Sequence, residues 1–168
     1  MTRSRDRDSG AEIGAIESVY RLRFDRFCRV AAAILDDREA ARDVVQDAFA
    51  QAVRRRSDYR CSAPLEAWLW RIVVNAARDE HRATAARRRR EQSFDPALLL
   101  DGESPSPEVR AAVAALPERQ RLVLFLRVYA DLDYDSIAAA LAISPGTVGA
   151  TLNAARASLR RALEEVHA

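Results

Sequence analysis

The stretch YDSIAAALAISPGTVGATLNAARA, residues 134–157, decides the fold. Ile137 and Leu141 stand one helical turn apart, and after a short break Val148 and Leu152 repeat the spacing. The break has its own chemistry. Ser144 suits an N-cap, Pro145 suits the first position of a helix, and Thr147 falls in the first turn. The pattern predicts a short helix over about 134–141 and a longer one from 145. Ala138 is small where the two would cross, and Ile143 lies in the turn. This is the spacing of a helix-turn-helix, whose second helix presents its start to the DNA major groove. A plain three-helix packing unit has the same apolar spacing, so the pattern alone leaves both open. The outward positions Thr147, Gly149, Ala150, Asn153, Ala154 and Ala157 offer few donors, whereas Arg156, Arg160 and Arg161 suit phosphate. Duplex binding by this half alone is therefore expected to be weak or phosphate-dominated. The buried face should continue through Ala155, Leu159 and Leu163.

Upstream, helical periodicity resumes at Val109, breaks at Leu116-Pro117, and runs again from about Glu118 to Tyr129 with Leu122, Leu126 and Tyr129 on one side. Residues 84–107 read as a linker. Arg87 to Arg90 form a like-charge run, and Asp95-Pro96, Asp101-Gly102 and Ser104-Pro105-Ser106-Pro107 are poor helix sequence. Leu98-Leu99-Leu100 interrupts it as a segment that can dock.

The N-terminal half reads as three helices. Ile16, Tyr20, Phe24, Phe27, Ala31 and Ile34 mark the first. Asp36-Asp37-Arg38 ends it and begins a second, with Val45, Ala48, Phe49 and Ala52 on one face and Asp43, Asp47, Ala50 and Arg54 on the other. Ser57 to Pro64 reads as a loop. The third helix runs from about Leu65 to about Arg82. Leu69, Ile72, Val73 and Ala76 form its expected apolar stripe, with Trp68, Arg71, Asn75, Arg78 and Arg82 roughly opposite. The expected architecture is all-α: two small helical domains joined by a flexible linker, the C-terminal one with a helix-turn-helix. The expected bounds are a disordered N-terminus over 1–14, a first domain over 15–83, a linker over 84–107 and a second domain over 108–168.

Composition agrees. Only five glycines occur in 168 residues, which favours helix over sheet. No apolar run approaches the length of a membrane span, and Met1 to Gly10 is too charged for a secretory leader. A cytoplasmic protein without membrane insertion is expected. Cys28 and Cys61 form no CxxC pair, and with two histidines no metal cluster is evident, so the cysteines read as unrelated thiols. Every basic residue is Arg, whose planar fork suits carboxylate and phosphate. The net charge of +2 hides a pattern. Residues 54–90 carry 11 Arg against 4 acids, while 91–135 carry 4 Arg against 9 acids. Such a central basic block is the footprint of a polyanion-binding surface, or else a solvated Arg-rich helix end.

Four motifs together carry a family resemblance. Asp37 to Phe49 resembles the polymerase-binding segment of extracytoplasmic-function (ECF) sigma factors of the sigma-70 superfamily. Trp68 to Asp79 resembles their helix that reads the promoter's minus-ten element. Leu116-Pro117-Glu118-Arg119-Gln120-Arg121 resembles the opening of their fourth conserved region, and Gly146-Thr147-Val148 lies where they start the recognition helix. The order and spacing match over roughly residues 15–165, which makes 15–83 the family's region 2 and 108–168 its region 4.

The resemblance implies specific roles. Asp43, Gln46 and Asp47 would dock on the clamp helices of the polymerase's largest subunit, and region 4 would sit at the flap. Tyr59, Arg60, Trp68, Arg71, Asn75, Arg78 and Arg82 would capture the melted minus-ten element, with aromatics stacking on bases and Arg on phosphate. Trp68 and Trp70 remain open between base stacking and core packing. Ser144, Thr147, Gly149, Asn153, Arg156 and Arg160 would meet the minus-35 element. Implied partners are core RNA polymerase, promoter DNA and an anti-sigma factor; no cofactor or metal is implied. The chain departs from the family in having Gly149, Thr151, Asn153 and Ala154 where basic residues are common. It also has Ala142 where Gly is usual in the turn, a position where positive φ can be needed.

Two other function classes compete. A conventional helix-turn-helix regulator would leave the acidic face and the Trp/Asn/Arg helix without a purpose, while a sigma-like protein that only sequesters a partner is kept open by the donor-poor recognition helix. An enzyme acting on nucleic acid would need a phosphate-binding Gly loop, a metal-spaced carboxylate cluster or a nucleophile–base pair, and the sequence offers none.

Overall fold

In the N-terminal half, two adjacent aspartates make the first corner. The computed structural model describes residues 10–88 and 106–166, with side chains through Thr84 and Glu164. Helix α1 (Ile13–Leu35) ends where Asp36 turns left-handed, φ 55°, its N–H bonding the Ala32 carbonyl at 2.7 Å. Asp is among the few residues that adopt this conformation readily. The next residue, Asp37, starts α2 (Arg38–Arg54): its carboxylate accepts the Glu39 and Ala40 amides at 2.9 and 3.0 Å. A single 3-10 turn, Arg56–Asp58, leads into the loop before α3 (Leu65–Arg88).

The three helices close on an aromatic centre. Phe27 of α1 stacks on Trp70 of α3 at 3.9 Å between ring centroids, and Phe49 of α2 meets Phe27 edge-on at 5.0 Å. Trp70 and Phe27 are completely buried. The expected apolar stripe of α3 is therefore corrected. Leu69 and Val73 are buried as expected, but the stripe continues through Trp70, Val74 and Ala77, while Ile72 and Ala76 are only half-buried. The stripe is rotated by about one residue, because Phe27 draws Trp70 inward and turns the helix with it. The helix also passes Arg82 and reaches Arg88, in keeping with its Ala- and Arg-rich end.

Two boundaries move. Residues 10–14 belong to the folded body: Ala11 is buried, its amide bonds the Arg56 carbonyl at 2.9 Å, and α1 begins at Ile13. Most of the expected linker, like residues 1–9, lies outside the described residues. In the C-terminal half α4 (Pro107–Ala114) starts two residues before Val109, because Ser106 accepts the Val109 amide as its N-cap.

Helices α5 (Glu118–Val128), α6 (Tyr134–Leu141) and α7 (Pro145–Val166) complete the chain. Arg121, half-buried, donates to the carbonyls of Ala114 and Leu116 and so ties the end of α4 to α5. Asp133 caps α6 by accepting the Ser136 amide at 2.7 Å. Ser144 caps α7 by accepting the Thr147 amide at 3.1 Å. α6 and α7 are bent by 101° relative to each other, within the range of a helix-turn-helix. Val148, Leu152 and Ala155 bury the second helix as expected, with Leu159 and Leu163 half-buried. Among the described residues there are seven α-helices and no strand, and no single helix is long and apolar enough to cross a membrane.

Three stability outcomes follow from these contacts. Trp70→Ala should cost about 3–5 kcal/mol in denaturant unfolding, as expected for a fully buried aromatic. The turn residue Ala142 is left-handed, φ 54°, so Ala142→Gly should raise stability by about 0.5–1 kcal/mol, the relieved Cβ strain outweighing the added chain entropy. The amide of Ser136 holds the Asp133 carboxyl below its ordinary range. Its folded pKa is thus lower than its unfolded one, near 3.9. The cap contributes fully above that unfolded value and fades as pH falls through the folded one. Asp133→Ala should therefore cost about 1 kcal/mol at pH 7 and little at pH 2, while Asp133→Asn keeps the cap.

Candidate nucleic-acid interface

Three surfaces carry the residues singled out by sequence. On α2, Asp43, Gln46 and Asp47 are all exposed, and neither aspartate makes an ion pair among the described residues. Beside them runs a groove of about 340 Å³ between α1 and α2, lined by Ile13, Tyr20, Phe49, Val53 and Gln46. Two unpaired carboxylates one turn apart, on the helix that lines the groove through Gln46, Phe49, Ala50 and Val53, fit a basic amphipathic helix.

The second surface begins in the loop before α3. Tyr59 is half-buried; its hydroxyl donates to the Ala63 carbonyl at 2.8 Å and its ring lies 5.5 Å from that of Trp68. Burial, with Cys61 alongside, raises the phenol above its ordinary pKa and keeps it a neutral donor. The two tryptophans divide. Trp70 belongs to the core, whereas Trp68 is half-buried at the surface next to Tyr59. Arg60, Arg71, Asn75, Arg78 and Arg82 are exposed. Arg82 pairs with Asp79 on its own helix, and Arg78 pairs across to Glu118 of α5 at 3.1 Å. Tyr59, Arg60, Trp68 and Arg71 thus gather at one end of α3, and Arg78 and Arg82 at the other.

The third surface is the start of α7. Ser144 and Thr147 engage each other at 2.8 Å between hydroxyls, so both are used in the cap. Gly149 is half-buried; a Cβ there would lie 3.5 Å from the Tyr134 ring. Asn153, Arg156 and Arg160 are exposed and share one face of α7. Sequence reasoning missed the contact between the halves: Glu118 on Arg78, and the Arg26 guanidinium on the Ala130 carbonyl at 3.4 Å. No local pattern signals such a pair.

Both cysteines are free. Burial pushes the half-buried Cys28 thiol up to about 11, with Arg42 lowering it and Asp25 raising it. Cys61 is exposed. Iodoacetamide at pH 8 should label Cys61 first and Cys28 slower by about a hundredfold, read by mass spectrometry.

Comparison with known proteins places this geometry. Residues 19–88 match the family described as sigma-70 region 2, and residues 106–159 match sigma-70, region 4. The RNA polymerase sigma-H factor of Pseudomonas aeruginosa is 32% identical over 148 residues, covering 76% of this chain and 75% of the relative. The ECF RNA polymerase sigma-E factor of Escherichia coli K12 is 30% identical over 137 residues, covering 70% of each. The fold is shared with the sigma factor RpoE of Bartonella quintana, solved in complex with the anti-sigma factor NepR. That likeness has a TM-score of 0.72 at 19% identity, over 90% of this chain and 98% of that one.

Proposed function

The chain belongs to the ECF branch of the sigma-70 family, and from that premise we propose that it docks on core RNA polymerase through α2 and captures melted promoter DNA on α3. The observation that carries this reading is the division of labour within the first three helices. α2 offers unpaired Asp43 and Asp47 beside an apolar groove, while α3 offers Trp68, Arg71 and Asn75 on a different face. One surface suits a basic protein helix, the other suits a single strand.

In this reading the polymerase's clamp helices seat against Asp43, Gln46 and Asp47. Tyr59 and Trp68 stack on unpaired bases, Asn75 reads a base edge, and Arg60, Arg71, Arg78 and Arg82 neutralise phosphate. Region 4 sits at the flap and meets the minus-35 element with Ser144 and Thr147 fixing the helix start. Asn153 is its side-chain donor, and Arg156 and Arg160 face phosphate. With Gly149 partly covered by Tyr134, this contact is mainly to the backbone, and sequence preference comes from DNA shape. The chain itself performs no bond chemistry; the polymerase does. It works in the cytoplasm, and an anti-sigma factor is its proposed regulator.

Run-off transcription with core polymerase and a pool of promoters from the source genome tests this. New start sites should need the chain and vanish with Asp43→Arg/Asp47→Arg, whose affinity for core should fall about tenfold or more at unchanged melting temperature. Chain-independent transcripts, together with sequence-specific duplex binding by the chain alone, would instead indicate a conventional helix-turn-helix regulator.

A further inference from the structure

The loop that carries Tyr59 and Arg60 leaves α2 through the 3-10 turn Arg56–Asp58, none of whose residues is buried. An exposed turn of this kind gains little from packing. Its backbone converges instead on one atom, the carbonyl oxygen of Arg56. That oxygen accepts the Tyr59 amide at 3.2 Å, which closes the turn. It also accepts the Ala11 amide at 2.9 Å, from the segment ahead of α1. Ala11 is buried. Gly10 lies against the turn: a Cβ there would stand 3.1 Å from the Arg56 oxygen and 3.2 Å from the Ser57 Cα. Both are backbone atoms, so neither can swing aside as a side chain would. Accepting the role given to Tyr59 and Arg60 above, we propose that Gly10 and Ala11 are positioning residues for strand capture. They form a strap that fixes the turn, and with it the Tyr59 ring, before DNA arrives.

The constraint passes along the loop in short steps. Tyr59 follows the strapped turn directly. Its ring lies 5.5 Å from that of Trp68, and its hydroxyl donates to the Ala63 carbonyl at 2.8 Å. Between those anchors Cys61 is left-handed, φ 55°, a conformation that costs a residue with a Cβ. A loop holding such a residue keeps its shape only if both ends are tied. The far end has the Tyr59–Ala63 bond. At the near end, the Arg55–Asp58 ion pair at 2.9 Å joins two exposed side chains and holds little in water. The Arg56 carbonyl is different, because its second donor belongs to a buried residue of another segment. A loop ordered in advance relieves the incoming strand of ordering it, and apparent affinity follows the fraction of chains with the loop in place.

The test uses the full chain. Gly10→Val sets a branched side chain against the Arg56–Ser57 backbone. Ala11→Pro deletes the N–H, and Ala11→Gly keeps it. Neither position is assigned to DNA or polymerase. In the free chain, hydrogen exchange at the Tyr59 amide should quicken about tenfold in Gly10→Val and Ala11→Pro. It should keep the parental rate in Ala11→Gly, and the interior amides of α2 and α3 should be unchanged in all three. With core polymerase bound, a fluorescent non-template strand carrying the minus-ten element of a promoter found by run-off should bind Gly10→Val and Ala11→Pro about tenfold more weakly. A scrambled strand, held through phosphate, should bind every protein alike. A purely structural role would instead lower melting temperature and core affinity and leave the ratio between the two strands unmoved. Unchanged Tyr59 exchange in both variants overturns the strap, and quickened exchange with an unchanged strand ratio overturns its part in capture. The exchange arm needs neither polymerase nor DNA. A parent that fails to bind core or to prefer the minus-ten strand therefore counts against the initiation reading and not against the strap.

Discussion

The stacking of Phe27 on Trp70 is the contact on which the rest of the arrangement depends. It joins α1 to α3 through two fully buried rings, and Phe49 of α2 closes the same cluster from the side. Its consequence is rotational. With Trp70 held inward, the helix must present Arg71 and Asn75 to solvent and leave Trp68 at the surface. A rotation of one residue would bury an arginine and expose an indole, which the chain's burial energetics forbid. The indole Nε1–H of Trp70 finds no hydrogen-bond partner, so packing alone outweighs a polar cost at this point.

Fixing α3 in this way gives it two opposed environments. Its inner side belongs to the first three helices, and its outer side, with the loop around Tyr59, faces α6. The loop around Tyr59 and the alanine face of the helix-turn-helix form opposite walls of a cleft of about 480 Å³. The acidic face of α2 stands apart from it: Asp43 and Asp47 lie on another helix, exposed and, among the described residues, without an ion pair.

Much of this is legible in the residues. The helix-turn-helix announces itself because its turn has local chemical marks, Ser144 as a cap and Pro145 at the first position, whereas the Asp133 cap and the left-handed Ala142 emerge only in the structure. The outward placement of Asp43 and Asp47 also follows from spacing, since Val45, Ala48, Phe49 and Ala52 form an unambiguous buried set. The rotation of α3 is less legible. Leu69, Trp70, Ile72, Val73, Val74 and Ala76 are apolar over more than half the helix circumference, and periodicity cannot choose an inner face when three other helices share the covering. The closure of the two halves leaves no trace in periodicity at all. Arg78 and Glu118 are forty residues apart, and each alone reads as an ordinary solvated charge.

In the reading proposed for this chain, the outer face of α3 meets the melted promoter strand. Photo-crosslinking from a benzophenone amino acid at position 71 tests it most directly. With core polymerase and a pre-melted promoter the crosslink should form to the non-template strand. A complex that initiates transcription but gives no crosslink to that strand would contradict it.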